Sequence, residues 1–430
     1  MKKVYFIILA LILCFSPVVT IGQSINNNLY YLHGLYGVNS DWNGVIDNET
    51  TSHCIGYDSN MSGGIGAIGD YILENNNFPS NSILVGYSAG GLISRYISAN
   101  NNNVIGTITL ATPNNGAGIV KSLAENSYVN ILDNVIDRTE NAISSTISAL
   151  SALTFPLLSI VTIILEPIIQ RELSGLFQDI KTQISSELDR FIDEEYLSVP
   201  LVQDMHPESS IIDTLSSSSK PVFSIAAVED PDVLYRLLGS AYNGDDESLI
   251  TNQGLIRNIQ SGIISFINYH NFAYDASKWI ALIYPPLWIT RSSILTSRNR
   301  WSLLERYINI DIHTEWAEQI GSYVQEERLI RFPIYDTSID GGSGGTNDGN
   351  QPSYGEVGGI IGYYEELRLV NVNYPNDGLV GTNSALYGNR TTVVEGLNHL
   401  ELLDSDGLHN TLDSLIRKMS LMRPIVFPFK

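Results

Sequence analysis

The chain has 430 residues, a formal net charge of -22 and only 16% charged residues. Such an acidic balance argues against nucleic acid or an anionic membrane surface as a partner, and polarity supplied mainly by uncharged residues suits an extracellular protein. The length allows two or three domains, or one core enlarged by insertions. The two cysteines are Cys14, within the apolar N-terminal segment, and Cys54, so a mature chain without that segment has one thiol and no intrachain disulfide.

Residues 1–22 have the pattern of a secretory signal peptide. Two lysines precede an almost wholly apolar run from Val4 to Phe15, and the small residue Gly22 stands at the expected cleavage point. The mature chain is therefore expected to begin at Gln23 and to be secreted, and both a periplasmic and an extracellular destination remain open.

A predicted strand, Leu29 to Leu32, ends in a loop that begins His33-Gly34-Leu35. Glycine allows a backbone amide to come close to a bound group. The backbone N–H that this loop offers to such a group is that of Leu35. We interpret the His33 side chain as an anchor that holds this loop by hydrogen bonds.

The strongest local signal follows a predicted helix over 64–73, where a strand-like run ends in Gly86-Tyr87-Ser88-Ala89-Gly90. A serine at a sharp strand-to-helix turn needs glycine two residues before and after it, because larger side chains would collide. The turn exposes the serine hydroxyl and directs the first amides of the next helix at a neighbouring anion. The pattern predicts Ser88 as a nucleophile and the Ala89 N–H as one donor of an oxyanion hole. Hydrolases with such a strand–serine–helix turn take the other donor from a loop after an early strand, and here that donor would be the Leu35 N–H.

The β-branched run from Val104 to Leu110 predicts the next parallel strand and completes a βαβ unit around Ser88. Three segments of the chain, 33–35, 86–92 and 110–116, resemble secreted bacterial triacylglycerol lipases and related esterases of the α/β-hydrolase superfamily. Asn114 stands where that family usually has histidine, and we expect little catalytic consequence. The resemblance implies an α/β fold, with a mostly parallel sheet and helices on both faces.

Two insertions have no counterpart in this resemblance, which covers 23–118, 201–229 and 358–430. The first, 119–200, is predicted to be a helical lid, since Asn141 to Leu165 contains no charged residue. Three interpretations of that segment remain open: a membrane-spanning helix, a buried helical hairpin, or, over 141–170, a lid that opens at a lipid surface. The second insertion, 230–357, is predicted to be an aromatic helical cap that ends near a glycine-rich linker, 340–350.

The acid and base of a triad are expected after the serine, in the order acid and then histidine. Asp377, in Asn376-Asp377-Gly378-Leu379, follows the apolar stretch Leu367 to Val372, and His399 follows the strand-like Thr391 to Val394. Both contexts also resemble the lipases. His206 and His409 are weaker candidates, because the first lies in a segment that returns to the core and the second enters the last helix.

Glu401 lies two residues after His399, where calcium-binding lipases carry a carboxylate ligand. The resemblance therefore implies a structural calcium ion, although one carboxylate is far short of the roughly six to eight oxygens that calcium takes. The triad mechanism requires no cofactor. The resemblance implies a lipid or other ester as substrate and transient contact with a lipid interface; a short-chain esterase, a polyester depolymerase, an acyltransferase and a non-catalytic lipid-binding protein remain alternatives.

Overall fold

The computed structural model describes residues 28–46, 52–125, 127, 129–152, 198–229, 253–283, 287–335, 360–388 and 390–422. The predicted signal peptide and the glycine-rich linker lie outside these residues. The strands, in chain order, are β1 (Leu29–Leu32), β2 (Ser52–Ile55), β3 (Ser82–Tyr87), β4 (Val104–Leu110), β5 (Val222–Val228), β6 (Tyr323–Tyr335), β7 (Ile360–Asn373) and β8 (Arg390–Glu395).

The helices lie between and after these strands. They are α1 (Gly64–Asn75), α2 (Ala89–Asn100), α3 (Gly118–Ala124), α4 (Val129–Ala152), α5 (Pro200–Asp204), α6 (Ser210–Ser216), α7 (Gln253–Ile283), α8 (Leu287–Arg306), α9 (Ile312–Gln319), α10 (Thr382–Ala385) and α11 (Asp406–Ser420). Short 3-10 helices cover Asn39–Trp42 and Leu402–Asp404, and a π-helical turn covers Tyr307–Asp311.

Six strands form one parallel sheet in the order β2-β1-β3-β4-β5-β8. The predicted α/β class is therefore confirmed. The strands predicted at β1, β3, β4 and β8 are all present, as is the helix α1. The edge strand β2 was not predicted, because its four residues, Ser52 to Ile55, include two polar side chains and give no apolar run.

Successive strand residues point to opposite faces of the sheet, and each face is covered by its own helices. Tyr30 and Leu84 belong to a buried cluster with apolar residues of α1 and α2. Their neighbours Tyr31 and Val85 pack on the other side with Trp42 and apolar residues of α11. Because parallel strands are buried on both faces, the central strands read as continuous apolar runs rather than alternating ones.

The two insertions pack together instead of forming separate units. Helix α4 belongs to the first insertion and contacts α8 of the second, which also packs on α7. Ala142 of α4 lies in the same buried cluster as Trp301 of α8, which agrees with a buried helix over 141–152. Residues 153–197 of the predicted lid insertion lie outside the described residues. None of the described helices is long and apolar enough to cross a membrane.

A chain of polar side chains crosses this helical layer. The Trp301 Nε1–H donates to Thr146 Oγ1 at 2.8 Å, Thr146 Oγ1 and Ser297 Oγ are 2.9 Å apart, and Ser297 Oγ is 2.7 Å from His270 Nε2. His270 Nδ1 lies 2.7 Å from the Phe266 carbonyl oxygen. A carbonyl only accepts, so Nδ1 carries the proton and Nε2 accepts from Ser297. Buried polar groups on three helices are thus satisfied by one another.

This arrangement predicts a loss of stability in mild acid. Burial lowers the pKa of His270 below its ordinary value of 6.5, so the unfolded chain binds the proton more readily than the folded one. The contribution of His270 to the free energy of unfolding is therefore fully present above pH 6.5. It is lost as the pH falls from 6.5 toward the lower pKa of the folded state. We expect the melting temperature of the wild type to exceed that of His270→Gln by less at pH 5 than at pH 8.

The comparison with His270→Gln isolates this residue, since the other titrating groups are common to both proteins. Melting followed by circular dichroism across the pH range measures the difference. A gap in melting temperature that stays constant from pH 8 to pH 5 contradicts the prediction.

Two differences from the sequence-based boundaries concern β6 and β7. These strands pair antiparallel with each other in a separate two-stranded sheet. The cap, predicted to be helical, therefore also contains the strand β6. The apolar stretch before Asp377 is a strand, but it belongs to this hairpin, so the region from 358, predicted as core, contributes to the central sheet only after Asn373. Propensity identifies a strand, whereas its partner is decided by contacts distant in sequence.

Candidate active site

Ser88 occupies a strained turn between β3 and α2. Its backbone has φ 50° and ψ -127°, in a region that residues other than glycine rarely adopt and that costs of order 1–3 kcal/mol. The turn is held in place because the Ser88 N–H donates to the Leu110 carbonyl at 2.8 Å. The strain is maintained by the surrounding sheet and projects the hydroxyl beyond the end of β3.

Glycine is required on both sides of Ser88 because backbones meet there. A Cβ added to Gly86 would lie 2.4 Å from the Gly90 carbonyl oxygen, and one added to Gly90 would lie 2.1 Å from the carbonyl oxygen of His33. Neither neighbour is a flexible side chain that can turn aside. The glycine spacing thus lets α2 pack directly against the loop that follows β1.

Replacing Gly90 with alanine is therefore expected to destabilise the protein by about 3 kcal/mol, the upper end of the usual cost of overpacking, and to lower the activity proposed below. Urea unfolding followed by circular dichroism measures the effect. The matched control is Gly262→Ala in α7, where an added Cβ meets no atom within 4 Å and where alanine favours a helix by up to about 1 kcal/mol. Equal stabilities of the two variants contradict the prediction.

The side chains of Ser88, His399 and Asp377 lie in one hydrogen-bonded chain. His399 Nε2 is 3.0 Å from Ser88 Oγ, and His399 Nδ1 is 2.8 Å from Asp377 Oδ2. The other carboxylate oxygen, Asp377 Oδ1, accepts the backbone N–H groups of Leu379 at 3.0 Å and Val380 at 2.7 Å. A carboxylate so placed accepts from Nδ1–H, which leaves the Nε2 lone pair to accept the serine proton.

The loops bearing these residues are joined by backbone and side-chain contacts. The His399 N–H donates to the Asp377 carbonyl at 2.8 Å. The Tyr87 hydroxyl donates to the His399 carbonyl at 2.7 Å, and burial raises the pKa of Tyr87, so this phenol keeps its proton. The role of Tyr87 was not predicted, because the sequence indicates it only by the position of Tyr87 between Gly86 and Ser88.

The loop after β1 lies directly beside Ser88. A Cβ added to Gly34 would be 3.1 Å from Ser88 Cβ. The Gly34 carbonyl is 2.8 Å from His33 Nδ1 and accepts the Gly37 N–H at 3.1 Å. In a trans peptide the C=O and the following N–H point in opposite directions, so these donors fix the Leu35 N–H on the opposite side of its peptide. Ala89 is the first residue of α2, where a helical amide has no partner within the helix.

His33 is itself held in one protonation state. The Tyr57 N–H donates to His33 Nε2 at 3.4 Å, which leaves the proton on Nδ1 for the Gly34 carbonyl. The Tyr57 hydroxyl donates to the His33 carbonyl at 2.6 Å, and the two rings stack 4.1 Å apart. Burial lowers the pKa of His33. These contacts agree with the interpretation of His33 as an anchor, and they add Tyr57, which the sequence analysis did not identify.

The remaining predicted residues lie outside the hydrogen-bonded chain. Glu401 Oε2 accepts the Asn398 N–H at 3.4 Å, and the described ranges hold no group of three or more His, Cys, Asp or Glu side chains that could bind a metal; calcium binding there stays a prediction. His206 Nδ1 accepts the Glu208 N–H at 3.2 Å, and His409 lies within α11.

Asn114 has a structural role at the position where the resembling family has histidine. Its Nδ2 donates to Thr109 Oγ1 at 3.1 Å and to the Ala385 carbonyl at 2.8 Å, and the buried Arg95 donates to Asn114 Oδ1 at 3.1 Å. The amide therefore joins β4, α2 and α10. Because Asn114 is held by these contacts, we expect that asparagine in place of histidine at this position leaves catalysis intact.

The chain has few similarities to known proteins. No protein-family model matches the chain, and no curated protein matches it. Among solved structures, it is similar to the structure of lipase 1 from Pelosinus fermentans, with 10% identity and a TM-score of 0.35 over 93% of this chain and 100% of that one. A likeness this low carries no argument about activity.

Proposed function

We propose that this protein is a serine hydrolase that cleaves carboxylic esters through an acyl-enzyme on Ser88. The proposal rests on one observation, the directional hydrogen-bond chain from Asp377 through His399 to Ser88. A serine, a base and an orienting acid in that geometry, beside backbone amides of an oxyanion hole, fit the roles of acyl transfer.

The proposed reaction moves one proton back and forth. His399 Nε2 accepts the Ser88 proton while the serine oxygen bonds to the ester carbonyl carbon, and the Leu35 and Ala89 N–H groups hold the oxyanion. Asp377 stabilises the imidazolium. His399 then protonates the alkoxy oxygen as the C–O bond breaks, which releases the alcohol. Water attacks the acyl-enzyme by the same route, and the carboxylic acid leaves.

Lipid esters are the proposed substrates. Support comes from the uncharged stretch Asn141 to Leu165 and from the aromatic second insertion, because a pocket for an acyl chain needs an apolar lining. Secretion is proposed from the pattern of residues 1–22 alone. An acyltransferase would share the triad and differ only in accepting an alcohol in place of water.

A series of p-nitrophenyl esters with short, medium and long acyl chains, together with emulsified triglyceride, tests this proposal. Hydrolysis of long-chain esters and triglyceride is the expected result. Activity on short chains alone would reassign the protein to small-ester hydrolysis, and added alcohol that yields transesterified product faster than free acid would favour acyl transfer. A folded protein that hydrolyses no ester and is not labelled at Ser88 by a fluorophosphonate contradicts the proposal.

A further inference from the structure

The loop that carries Asp377 is held by a side chain from the second insertion. Trp316, on α9, is buried, and its Nε1–H donates to the Gly378 carbonyl at 2.8 Å. The bonded carbonyl belongs to the residue that directly follows Asp377. A contact from the insertion therefore lies next to the proposed catalytic acid.

The same peptide group connects this tryptophan to the carboxylate. The Gly378 carbonyl and the Leu379 N–H belong to one planar unit and point in opposite directions. The Leu379 N–H donates to Asp377 Oδ1 at 3.0 Å. Trp316 on one side and Asp377 on the other therefore fix the plane of this peptide, and aligned hydrogen bonds of this kind polarise one another.

Apolar contacts hold the peptide from the same direction. The Leu379 side chain packs against a buried cluster whose members all come from the two insertions: Ile131, Tyr307, Ile312, Trp316 and Ile320. Gly378 itself has φ +94°, a backbone conformation that suits glycine, and its N–H donates to Asn376 Oδ1 at 3.0 Å. Both side chains and backbone thus restrict the loop to one arrangement.

Helix α9 is in turn tied to α4. The Tyr307 hydroxyl, in the π-helical turn that precedes α9, donates to Glu315 Oε2 at 2.5 Å and to the Ile131 carbonyl at 3.4 Å. The Arg138 guanidinium lies 4.4 Å from the centre of the Tyr307 ring. Irregular π-helical turns are often found near functional sites, and this one sets where α9 begins.

We propose that Trp316 is a positioning residue for Asp377, acting through the Gly378–Leu379 peptide, so that the helical insertion orients the acid of the catalytic chain. The inference rests on the proposed function, since it assigns a purpose to the Asp377 carboxylate. Trp316 donates to a backbone carbonyl and not to Asp377, His399 or Ser88 themselves. Its effect is expected on the orientation of His399, whose Nδ1–H donates to that carboxylate.

The test compares two tryptophans that make the same kind of bond. Trp316→Phe removes the N–H and keeps an aromatic ring. Trp301→Phe makes the identical change at another buried tryptophan of the insertion, whose Nε1–H donates at the same 2.8 Å to Thr146. A purely structural role predicts similar effects, because each variant loses one N–H donor and part of a ring.

We expect Trp316→Phe to lower kcat by about 10- to 100-fold with KM unchanged, as for a small misplacement of a catalytic group, and Trp301→Phe to leave both constants unchanged. Combining Trp316→Phe with Asp377→Asn is expected to add no further loss, since both changes act through one carboxylate. Equal kcat values for the two tryptophan variants, or a fully additive loss in the double variant, overturn the proposal.

A second readout does not depend on activity. The low-field proton NMR signal of His399 Nδ1–H reports its hydrogen bond to Asp377. It is expected to shift or broaden in Trp316→Phe and to stay unchanged in Trp301→Phe. If the wild type hydrolyses no ester while this difference appears, the proposed function fails and the positioning role stands. A signal that is the same in both variants overturns the positioning role, whatever the activity.

Discussion

Replacing Ser88 with alanine is expected to lower kcat for ester hydrolysis by about four to six orders of magnitude and to leave the fold intact. The change deletes the oxygen that attacks the ester carbonyl carbon and forms the acyl-enzyme in the proposed reaction. It alters neither the strained backbone, which alanine adopts at a similar cost, nor the Ser88 N–H bond to the Leu110 carbonyl. Initial-rate kinetics on a long-chain p-nitrophenyl ester, together with melting temperatures, measure both parts.

Ser94→Ala is the matched control for this variant. Ser94 lies on α2, the helix that begins directly after Ser88. It is fully buried, and its hydroxyl has no hydrogen-bond partner among the described residues. Its loss is expected to leave kcat unchanged and fluorophosphonate labelling at Ser88 intact. If Ser88→Ala keeps more than about a tenth of the wild-type kcat, a different nucleophile performs the reaction.

Asp377→Asn is expected to lower kcat by about four orders of magnitude, because it reverses a donor and an acceptor without changing shape. The Leu379 and Val380 N–H groups both donate to Asp377 Oδ1, so the amide oxygen of asparagine takes that place and its NH2 group faces His399 Nδ1. The imidazole must then accept at Nδ1 and carry its proton on Nε2. In that tautomer His399 cannot take the proton of Ser88.

Kinetics on the same ester, with melting temperatures for each protein, check this result. Asp404→Asn is a suitable control, since this exposed carboxylate lies five residues after His399 and changes the net charge equally. An Asp377→Asn variant that is folded and hydrolyses the ester at the wild-type rate would show that the acid has no orienting role.

The central sheet and the candidate site could be predicted largely because their signals are local. The turn at Ser88 needs glycine at fixed spacing, and the strands on either side are short apolar runs bounded by polar turns. Asp377 and His399 were found by the order of the triad in the chain and by their resemblance to lipase motifs. The structure brings all three side chains together as that order requires.

The contacts that hold the site could not be predicted in the same way. Trp316 and Tyr57 donate to backbone carbonyls, and every residue carries a carbonyl, so such bonds leave no pattern in the sequence. The joint packing of the two insertions was missed for a related reason. An amphipathic helix reveals which face it buries, but the helix that covers this face is fixed by contacts distant in sequence.

The strand order of the sheet has a consequence for the nascent chain. Ser88 lies between β3 and α2, and β3 pairs with β1 and β4. All four elements have left the ribosome once Leu110, the last residue of β4, has emerged. The acid, Asp377, and the base, His399, both follow the second insertion in the chain, and His399 comes after β8, which pairs with β5. Domains tend to organise from the N-terminus during translation, so the serine turn can form early while the hydroxyl still lacks its base. If the proposed mechanism holds, the newly made protein carries no hydrolytic activity until β8 has paired with β5 and His399 has reached Ser88.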